Sequence, residues 1–205
     1  KLLSGFGGNK KVNMKKFQEA QNPKMFAISL SGEPSLYPKI DELINELHKK
    51  EITTFVVSNG TYPEKLKTLI GNNEPTQLYI TLPAPNKEIY MKTCKPLIKK
   101  GWEKILTTLE LLSEFNCRKV IRLTMVKGIN MINPKQYANI LNELDIDFVE
   151  VKGYVWVGYS RYRLEQENMP SPEDIKRFSE KITKHSKFKI KDEKEASRVV
   201  LLSRK

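Results

Sequence analysis

Cysteine and long apolar runs are scarce in this sequence, and each scarcity excludes a class of protein. The only cysteines among its 205 residues are Cys94 and Cys117, which are too few and too far apart for a metal motif or a disulfide framework. No apolar run approaches the roughly 20 residues of a membrane-spanning helix, and no signal peptide is visible. We therefore expect a cytoplasmic protein with no membrane partner and no metal site in the given chain.

Acidic residues are also under-represented relative to basic ones. The chain has 36 lysines and arginines against 24 aspartates and glutamates, which gives a formal net charge of +12. A charge of this size and sign indicates a polyanionic partner, with nucleic acid as the first candidate. An excess of lysine also arises from genomic or thermophilic bias, so charge alone leaves both explanations open.

The length and the 39% hydrophobic content indicate one domain with a substantial core. Residues 1–24 contain turn residues and a short helical stretch, and we interpret them as a connection that arrives from an upstream segment. Residues 25–185 read as βα units, and residues 186–205 as C-terminal strands. The chain does not begin with methionine, so we expect residues 1–205 to be an N-terminally incomplete single domain of a longer protein.

Five apolar stretches alternate with amphipathic helical stretches. The first lies in residues 25–34 (MFAISLSGEP), whose uncharged run predicts a strand that is buried on both faces. Further strands are predicted at residues 53–57, 77–82, 119–126 and 148–152. Helices are predicted over residues 38–50 and after the caps Asn133 and Ser171, each of which precedes a proline. This order predicts a parallel sheet, which a closed or partial barrel and an open doubly wound sheet both satisfy.

Side-chain alternation favours the barrel, because one face of each strand becomes polar towards its carboxyl end. The residues that share these faces are Ala27, Ser29, Ser31, Tyr79, Thr81, Val120, Arg122, Thr124, Phe148, Glu150 and Lys152. If the faces point inward, they line one cavity at the end of the barrel where βα barrels carry their chemistry. Buried Arg122, Glu150 and Lys152 must pair with one another or with a ligand, so a structural salt-bridge cluster is the alternative.

The strand ends resemble the radical S-adenosylmethionine (SAM) superfamily, whose core is a partial βα barrel of six units. Ser31-Gly32-Glu33-Pro34 stands where that superfamily has a Gly-Gly-Glu-Pro motif, which holds the methionine amino group of SAM. Ser58-Asn59-Gly60 matches the polar end of the next strand. Arg122, Thr124, Gly128 and Asn130 match a recurrent Arg-x-Thr…Gly-x-Asn pattern on the fifth barrel strand.

Within the superfamily, the chain resembles the family of tRNA 4-demethylwyosine synthases from about Met25 to its C-terminus. The resemblance is carried by ISLSGEPSLYPKIDELI, TTFVVSNGTYPEKL, EPTQLYITLPAPNKEIY and, most specifically, VEVKGYVWVGYSRYRLEQENMP. The chain departs from the family in lacking the first barrel unit, with its three closely spaced cluster cysteines, and the cysteines of a second cluster. Cys94 and Cys117 match neither set and are expected to be buried or incidental. Pro83 stands where many members carry an Asp.

The resemblance implies a radical SAM lyase of tRNA modification. Such an enzyme condenses N1-methylguanosine, next to the anticodon of tRNA-Phe, with pyruvate to give 4-demethylwyosine. The implied cofactors are SAM and a 4Fe-4S cluster, with two clusters in the full-length protein and their cysteines upstream. The implied partners are tRNA-Phe, pyruvate and an electron donor such as flavodoxin or ferredoxin, and the protein is expected to be a monomer. A form without a fused electron-donor domain would suggest an archaeal source.

The resemblance also implies roles for particular residues. The expected cofactor-binding residues are Ser31, Gly32, Glu33, Pro34, Ser58, Asn59, Thr81, Arg122, Thr124 and Asn130. Among them, Glu33 is suited to the SAM ammonium group and Arg122 to the SAM carboxylate. The expected contacts to tRNA are Lys152, Tyr154, Trp156, Tyr159, Arg161 and Arg163. No catalytic residue is assigned, although Lys152 is a candidate.

Most of the expected tRNA contacts lie in residues 153–170, which we call the aromatic loop. The loop is long enough to expect a function, and it mixes stacking rings with cations that suit phosphates. For its aromatic residues the alternative is packing against the last helix, and for Arg161 and Arg163 it is a solvated surface.

Two other functions stay open. The chain could be a non-catalytic tRNA-binding barrel that has lost its cluster, which three closely spaced cysteines upstream would exclude. It could also be a radical SAM enzyme that acts on a protein or a small molecule. The basic excess and the aromatic loop argue against this second alternative.

Overall fold

The computed structural model describes residues 3–29 and 32–204, and seven strands form one sheet. The strands are β1 (Met25–Ile28), β2 (Thr53–Ser58), β3 (Gln77–Thr81), β4 (Arg118–Met125), β5 (Phe148–Gly153), β6 (Phe188–Lys194) and β7 (Val199–Arg204). The first five lie side by side in chain order and run parallel. β7 then pairs antiparallel with β5, and β6 pairs antiparallel with β7. The predicted α/β class, parallel strands and C-terminal β extension are therefore confirmed.

The sheet has β1 and β6 at its two edges, so over residues 3–29 and 32–204 it is a partial rather than a closed barrel. The helices are α1 (Met14–Gln21), α2 (Ile40–Lys49), α3 (Pro63–Lys67), α4 (Lys87–Cys94), α5 (Gly101–Leu111), α6 (Pro134–Glu143) and α7 (Pro172–Thr183). No helix in this described part of the chain is both long and apolar enough to cross a bilayer.

Side-chain caps fix the starts of three of the seven described helices, namely α1, α4 and α7. Ser171 caps α7 as predicted: its Oγ accepts from the Asp174 N–H, and the Asp174 carboxylate accepts from the Ser171 N–H. α6 begins at Pro134 as predicted, but Asn133 adopts a left-handed conformation (φ 50°) and its side chain makes no capping hydrogen bond. α4 was not predicted, because its basic sequence has little apolar periodicity. Its start is fixed by Asn86, whose side chain accepts from the Ile89 N–H.

The two faces of the sheet differ in burial. One face packs against the helices and contains fully buried residues such as Val56, Ile80, Ile121 and Val151. The other face, which we call the open face, carries half-buried polar residues. Strand register places Thr81 beside Arg122, Arg122 beside Glu150, and Thr124 beside Lys152. Since neighbouring residues in parallel strands project to the same side, the predicted polar face is confirmed.

β1 differs from its prediction in length and in burial. The described strand spans Met25–Ile28, with Met25 70% and Phe26 44% exposed. The prediction of a strand buried on both faces is wrong for this chain, because β1 is an edge strand that pairs with β2 alone. An uncharged run indicates that a strand is suited to burial. Whether it is buried depends on another element of the fold that covers it.

Candidate functional site

The carboxyl ends of β1 and β2 are held together by the Glu33 carboxylate. Its Oε1 accepts from the Ser58 hydroxyl at 2.7 Å and from the Ser35 hydroxyl at 2.8 Å. The Ser35 N–H also donates to Oε1 at 3.2 Å, and the Asn59 N–H donates to Oε2 at 2.8 Å. A carboxylate offers about four acceptor positions, so Oε2 retains capacity for a ligand while Oε1 is fully engaged. Ser58 is 1% exposed, and its hydroxyl serves this internal contact.

The turn that carries Glu33 needs its glycine for backbone reasons. Gly32 has φ +75°, in the left-handed region that other residues rarely adopt. No atom of the described residues lies within 4 Å of the position where a Cβ would stand. The turn is therefore open on that side. Pro34 follows at the start of a short 3₁₀ turn, for which Glu33 is the cap. Ser31, which was predicted to bind the cofactor, lies outside the described residues.

A pocket of about 240 Å³ lies beside the ends of β2 and β3. Its lining residues are Asn59, Thr61, Thr81, Pro83, Tyr90, Cys94, Pro96, Leu97, Ile98 and Ile105. The predicted residues Asn59 and Thr81 thus meet the turn between α4 and α5. The side-chain Oδ1 of Asn59 accepts from both the N–H and the hydroxyl of Thr61, at 2.9 and 2.6 Å. Sequence reasoning did not anticipate this turn as part of the site, although its apolar residues among lysines were a usable signal.

On the open face, Arg122 is engaged by protein groups. Its Nε and Nη2 donate to the two carboxylate oxygens of Glu150 at 3.0 and 3.3 Å. Its guanidinium carbon also lies 4.6 Å from the ring centre of Tyr79. Burial and the Glu150 charge raise the pKa of Tyr79. The expectation that the buried charges pair is confirmed for Arg122 and Glu150, whereas Lys152 forms no ion pair within residues 3–29 and 32–204.

Asn130 holds the turn after β4 against the end of β3. The side chain is fully buried, and its Oδ1 accepts from the Val126 N–H at 2.6 Å. Its amide group donates to the Pro83 and Thr124 carbonyl oxygens, each at 2.8 Å. These contacts use the polar atoms of Asn130 for the protein's own turns. Thr124 itself is half-buried on the open face, next to Lys152.

The aromatic loop forms an open cleft of about 620 Å³ next to the carboxyl ends of β4 and β5. The cleft is lined by Trp156, Gly158, Tyr159, Arg161 and Tyr162. The loop is tied to the end of β4, because the Tyr154 N–H donates to the Met125 carbonyl and the Lys127 N–H donates to the Asn168 carbonyl, both at 2.9 Å. The aromatic loop and the strand ends are therefore neighbours.

Within the loop, some aromatic residues are anchored and others are free. The Trp156 indole N–H donates to the Leu164 carbonyl at 2.7 Å, and the Arg161 guanidinium lies 4.4 Å from the Trp156 ring centre. The Tyr154 hydroxyl donates to Ser160 at 2.7 Å. Tyr159 and Tyr162 are 86% and 85% exposed, so for Tyr159 the alternative of packing against the last helix is wrong. Arg163 is also exposed.

The two cysteines do not fit an iron–sulfur cluster. Cys94 ends α4, near the carboxyl ends of the parallel strands, whereas Cys117 precedes β4, near the ends where these strands begin. A 4Fe-4S cluster is held by several cysteine thiolates. Desolvation instead raises the pKa of Cys94 to about 11 and of Cys117 to about 12. Cys94 is exposed and Cys117 half-buried, so of the two expectations, buried or incidental, full burial is wrong. No cluster of three metal-ligating side chains occurs in the described ranges, 3–29 and 32–204.

Two family models match the chain. The model for the radical SAM superfamily matches residues 12–141, and the model for wyosine base formation matches residues 144–204. The first covers β1 to β4 and the strand-end motifs. The second covers β5, the whole aromatic loop, α7 and the C-terminal strands.

Curated relatives and a solved structure are similar to this chain over almost its whole length. The S-adenosyl-L-methionine-dependent tRNA 4-demethylwyosine synthase of Pyrococcus horikoshii is 51% identical over 100% of this chain and 60% of its own length. The enzyme of the same name from Methanocaldococcus jannaschii is 42% identical over 98% of this chain and 63% of its own length. A solved structure of TYW1 with a lysine-pyruvate adduct bound aligns with a TM-score of 0.88 and 40% identity, over 99% of this chain and 64% of that one.

Proposed function

The chain belongs to the radical SAM superfamily, and from this premise we propose that it forms the SAM- and tRNA-binding part of a tRNA 4-demethylwyosine synthase. The observation that carries the proposal is the aromatic loop. It lies within the similarity to the wyosine enzymes and forms an open cleft of about 620 Å³, lined by rings and an arginine, beside the strand ends. The chain spans about 60% of the length of the curated relatives it matches. The activity proposed is therefore that of the whole protein.

The proposed reaction joins two carbons of pyruvate to N1-methylguanosine beside the anticodon of tRNA-Phe. Such a base lies in a single-stranded loop and must leave its stack to be modified. Exposed rings that line an open cleft suit this task, because they offer a stacking surface in exchange. Tyr159 and Tyr162, whose ring centres are 6.1 Å apart, are the exposed rings of the cleft. We propose that Arg161 and Arg163 bind neighbouring phosphates, and that Tyr154 and Trp156 hold the loop in shape.

We propose that the strand ends hold SAM, which supplies the radical chemistry when bound. The open turn at Gly32 and Pro34 admits the methionine end, and the remaining acceptor capacity of Glu33 Oε2 suits the ammonium group. Ser31, which precedes Gly32 in the sequence, stays a proposed SAM-binding residue. The side chains of Asn59 and Thr81 line the adjacent pocket and suit the ribose hydroxyls or the carboxylate. Ser58 and Asn130 are positioning residues, since their polar atoms bond the protein's own turns. Arg122 and Thr124 approach SAM from the open face.

Because the cysteines of this chain do not fit a cluster, we derive no step through one. We propose that other segments of the whole protein hold the 4Fe-4S cluster required by the superfamily, and a second one. The exposed edge of β1 supports a further barrel strand beside it, with residues 1–205 as one N-terminally incomplete domain. We also propose an external electron donor such as flavodoxin or ferredoxin, a monomeric state and a cytoplasmic location.

Lys152 is the lysine on the open face that remains a candidate for contact with pyruvate or the substrate base. It is half-buried and neighbours Thr124 and Val199. The related structure with a lysine-pyruvate adduct indicates that a lysine takes part in pyruvate binding in that protein. That protein is longer than this chain, so a lysine outside residues 1–205 is the competing assignment. Borohydride trapping of pyruvate on the Lys152→Arg variant distinguishes the two.

The proposed function is tested by tRNA affinity across a salt series in the whole protein. Arg161→Ala and Arg163→Ala should each flatten the slope of log affinity against log salt by roughly 1, because each removes one neutralised phosphate. Tyr159→Ala should weaken binding by roughly 1–3 kcal/mol without changing the slope. SAM cleavage in the absence of tRNA should stay at the wild-type rate. An unchanged slope at wild-type affinity in both arginine variants would favour a protein or small-molecule substrate.

A further inference from the structure

The turn between α4 and α5 places three lysines at the same end of the sheet as the aromatic loop. We call residues 95–100 the basic segment, and its lysines are Lys95, Lys99 and Lys100. Pro96, Leu97 and Ile98 of this segment lie along the rim of the 240 Å³ pocket that Asn59 and Thr81 also line. Since those two residues stand at the carboxyl ends of β2 and β3, the basic segment borders the strand ends from the β3 side.

The charges of the basic segment are held in no ion pair of the described residues, although the Lys100 charge, after the hydrogen bond from Lys87, helps to lower the pKa of the nearby Glu103 carboxyl. Its three lysines are exposed, and none forms an ion pair within residues 3–29 and 32–204. The neighbouring Lys87 and Lys92 do form ion pairs, with Glu103 at 2.5 Å and Glu88 at 2.6 Å. A cluster of free cations beside paired ones is a local positive field available to a partner.

The backbone of the segment is unfavourable for lysine at both ends. Lys95 has φ 44° and Lys100 has φ 56°, both in the left-handed region. Lys95 follows the last residue of α4, a position where helices usually place glycine because it adopts this conformation without strain. Lysine therefore reduces stability at both positions without a local contact in return. Glu51 and Arg198 also have positive φ values, so this conformation is not confined to the segment, and it predicts that glycine is well tolerated at Lys95 and Lys100.

The basic segment and the aromatic loop lie on either side of the carboxyl end of β4. The basic segment follows β3 through α4, the aromatic loop follows β5, and β4 lies between them. β3 and β5 are therefore about 10 Å apart at the strand ends. One folded RNA loop above the strand ends is able to contact both. Leu97 is fully exposed at the centre of the segment, so the chain presents apolar surface there as well.

We propose that the basic segment binds the phosphate backbone of the substrate tRNA, on the side of the strand ends opposite to the aromatic loop. This inference rests on the proposed function and adds a second, independent RNA-binding surface to it. The aromatic loop binds the target base and its neighbours, while the lysines bind the strand that leaves the site. The tRNA is thereby fixed at two points, and the modified nucleotide is placed between them over the strand ends.

The test is a variant of the whole protein that carries Lys95→Gly, Lys99→Ala and Lys100→Gly. Glycine suits the two left-handed positions, so the melting temperature should stay equal or rise. The slope of log tRNA affinity against log salt should become flatter by roughly 2 to 3, and affinity near physiological salt should fall roughly tenfold or more. A matched control removes three exposed lysines near the end of the sheet where the parallel strands begin, through Lys50→Ala, Lys184→Ala and Lys189→Ala. The control should keep the wild-type slope.

The outcomes separate this inference from the proposed function. If the variant binds tRNA with wild-type affinity and slope while the Arg161 and Arg163 variants are weakened, the basic segment has no role in RNA binding and the inference is wrong. If the wild-type protein itself shows no salt-dependent tRNA binding, the proposed function fails first. If the variant keeps tRNA binding but is no longer reduced by an acidic flavodoxin, the segment docks a protein, which also overturns the inference.

Discussion

The side chain of Asn130 bonds the Val126 N–H and the carbonyl oxygens of Pro83 and Thr124, with its amide group fully buried. Glu33 similarly bonds groups of Ser35, Ser58 and Asn59. At the scale of single residues, the motif positions therefore do two kinds of work. Some present free groups at the site, and others hold the turns from which those groups project.

Asn130→Ala should destabilise the protein by about 2–4 kcal/mol, because it removes three hydrogen bonds and leaves the buried Val126 N–H without a partner. Denaturant unfolding of the whole protein measures this change. Asn72, which is exposed and bonds only the Thr68 carbonyl, offers a control. Asn72→Ala should change stability by less than about 0.5 kcal/mol. Equal effects at the two positions would mean that Asn130 does not hold the turn.

Arg122, which the resemblance assigns to the SAM carboxylate, already binds groups of the protein itself. Its guanidinium is bound by Glu150 in a two-point contact and lies on the Tyr79 ring. A buried pair of this kind is costly to break from one side, because the remaining charge stays desolvated. A SAM carboxylate therefore either joins the existing pair or exchanges with Glu150.

Among the elements, α7 fixes the aromatic loop. The Asp174 carboxylate accepts from the Ser171 N–H at the start of α7, from Lys127 after β4 at 3.1 Å, and from Arg177 at 2.6 Å. Burial alone would raise the pKa of Asp174, but these donors outweigh it and lower the pKa to about 2. The end of the aromatic loop is thus joined to the turn after β4 by a charged contact.

Asp174→Asn should lower the free energy of unfolding by about 1–2 kcal/mol at pH 7. Because the folded pKa is depressed, the stabilisation is complete above the unfolded pKa near 4 and is lost as pH falls towards 2. Wild type and variant should therefore converge in stability between about pH 4 and pH 2. Denaturant unfolding over a pH series measures this. Asp192→Asn, at an exposed carboxylate of β6, is the control and should give a small, pH-independent difference.

For the whole molecule, charge and shape indicate which surfaces meet a partner. The net charge of +12 includes free cations on both sides of the strand ends. β1 is one of the two edge strands of the sheet, and its residues Met25 and Phe26 are exposed beside an edge that no described strand pairs with. Natural proteins cover or blunt such edges, since an exposed apolar edge invites association. The exposed β1 edge therefore supports the proposal that another element of the whole protein pairs there.

In the whole protein, the backbone amides of β1 that face away from β2 should be protected from hydrogen exchange, to within about tenfold of the β2 amides. The physical reason is that a further strand hydrogen-bonds them. Native-state exchange read by mass spectrometry or NMR measures the protection. Exchange at the rate of exposed loops would show that no strand pairs there, and would contradict the proposed additional barrel unit.

The sequence by itself determined the order of strands, the parallel topology and the family. These depend on local signals, namely apolar runs, capping residues such as Ser171, and short motifs such as Gly32-Glu33-Pro34. A hydrophobic period or a motif is contained in a few neighbouring residues. It can therefore be recognised without knowing which distant segments are in contact. Composition and length also marked the aromatic loop, but they left open whether its tyrosines pack against the last helix or stay exposed.

Only the tertiary structure decided which polar groups are free and which are engaged. Arg122 meets Glu150 because of strand register across 28 residues of sequence, and Asn130 reaches Pro83 across 47. The pocket that joins Thr81 to the basic segment depends on where α4 ends. The exposure of β1 depends on which strands are present to pair with it. Each of these outcomes is set by distances between segments that are remote in sequence, and local patterns carry no record of those distances.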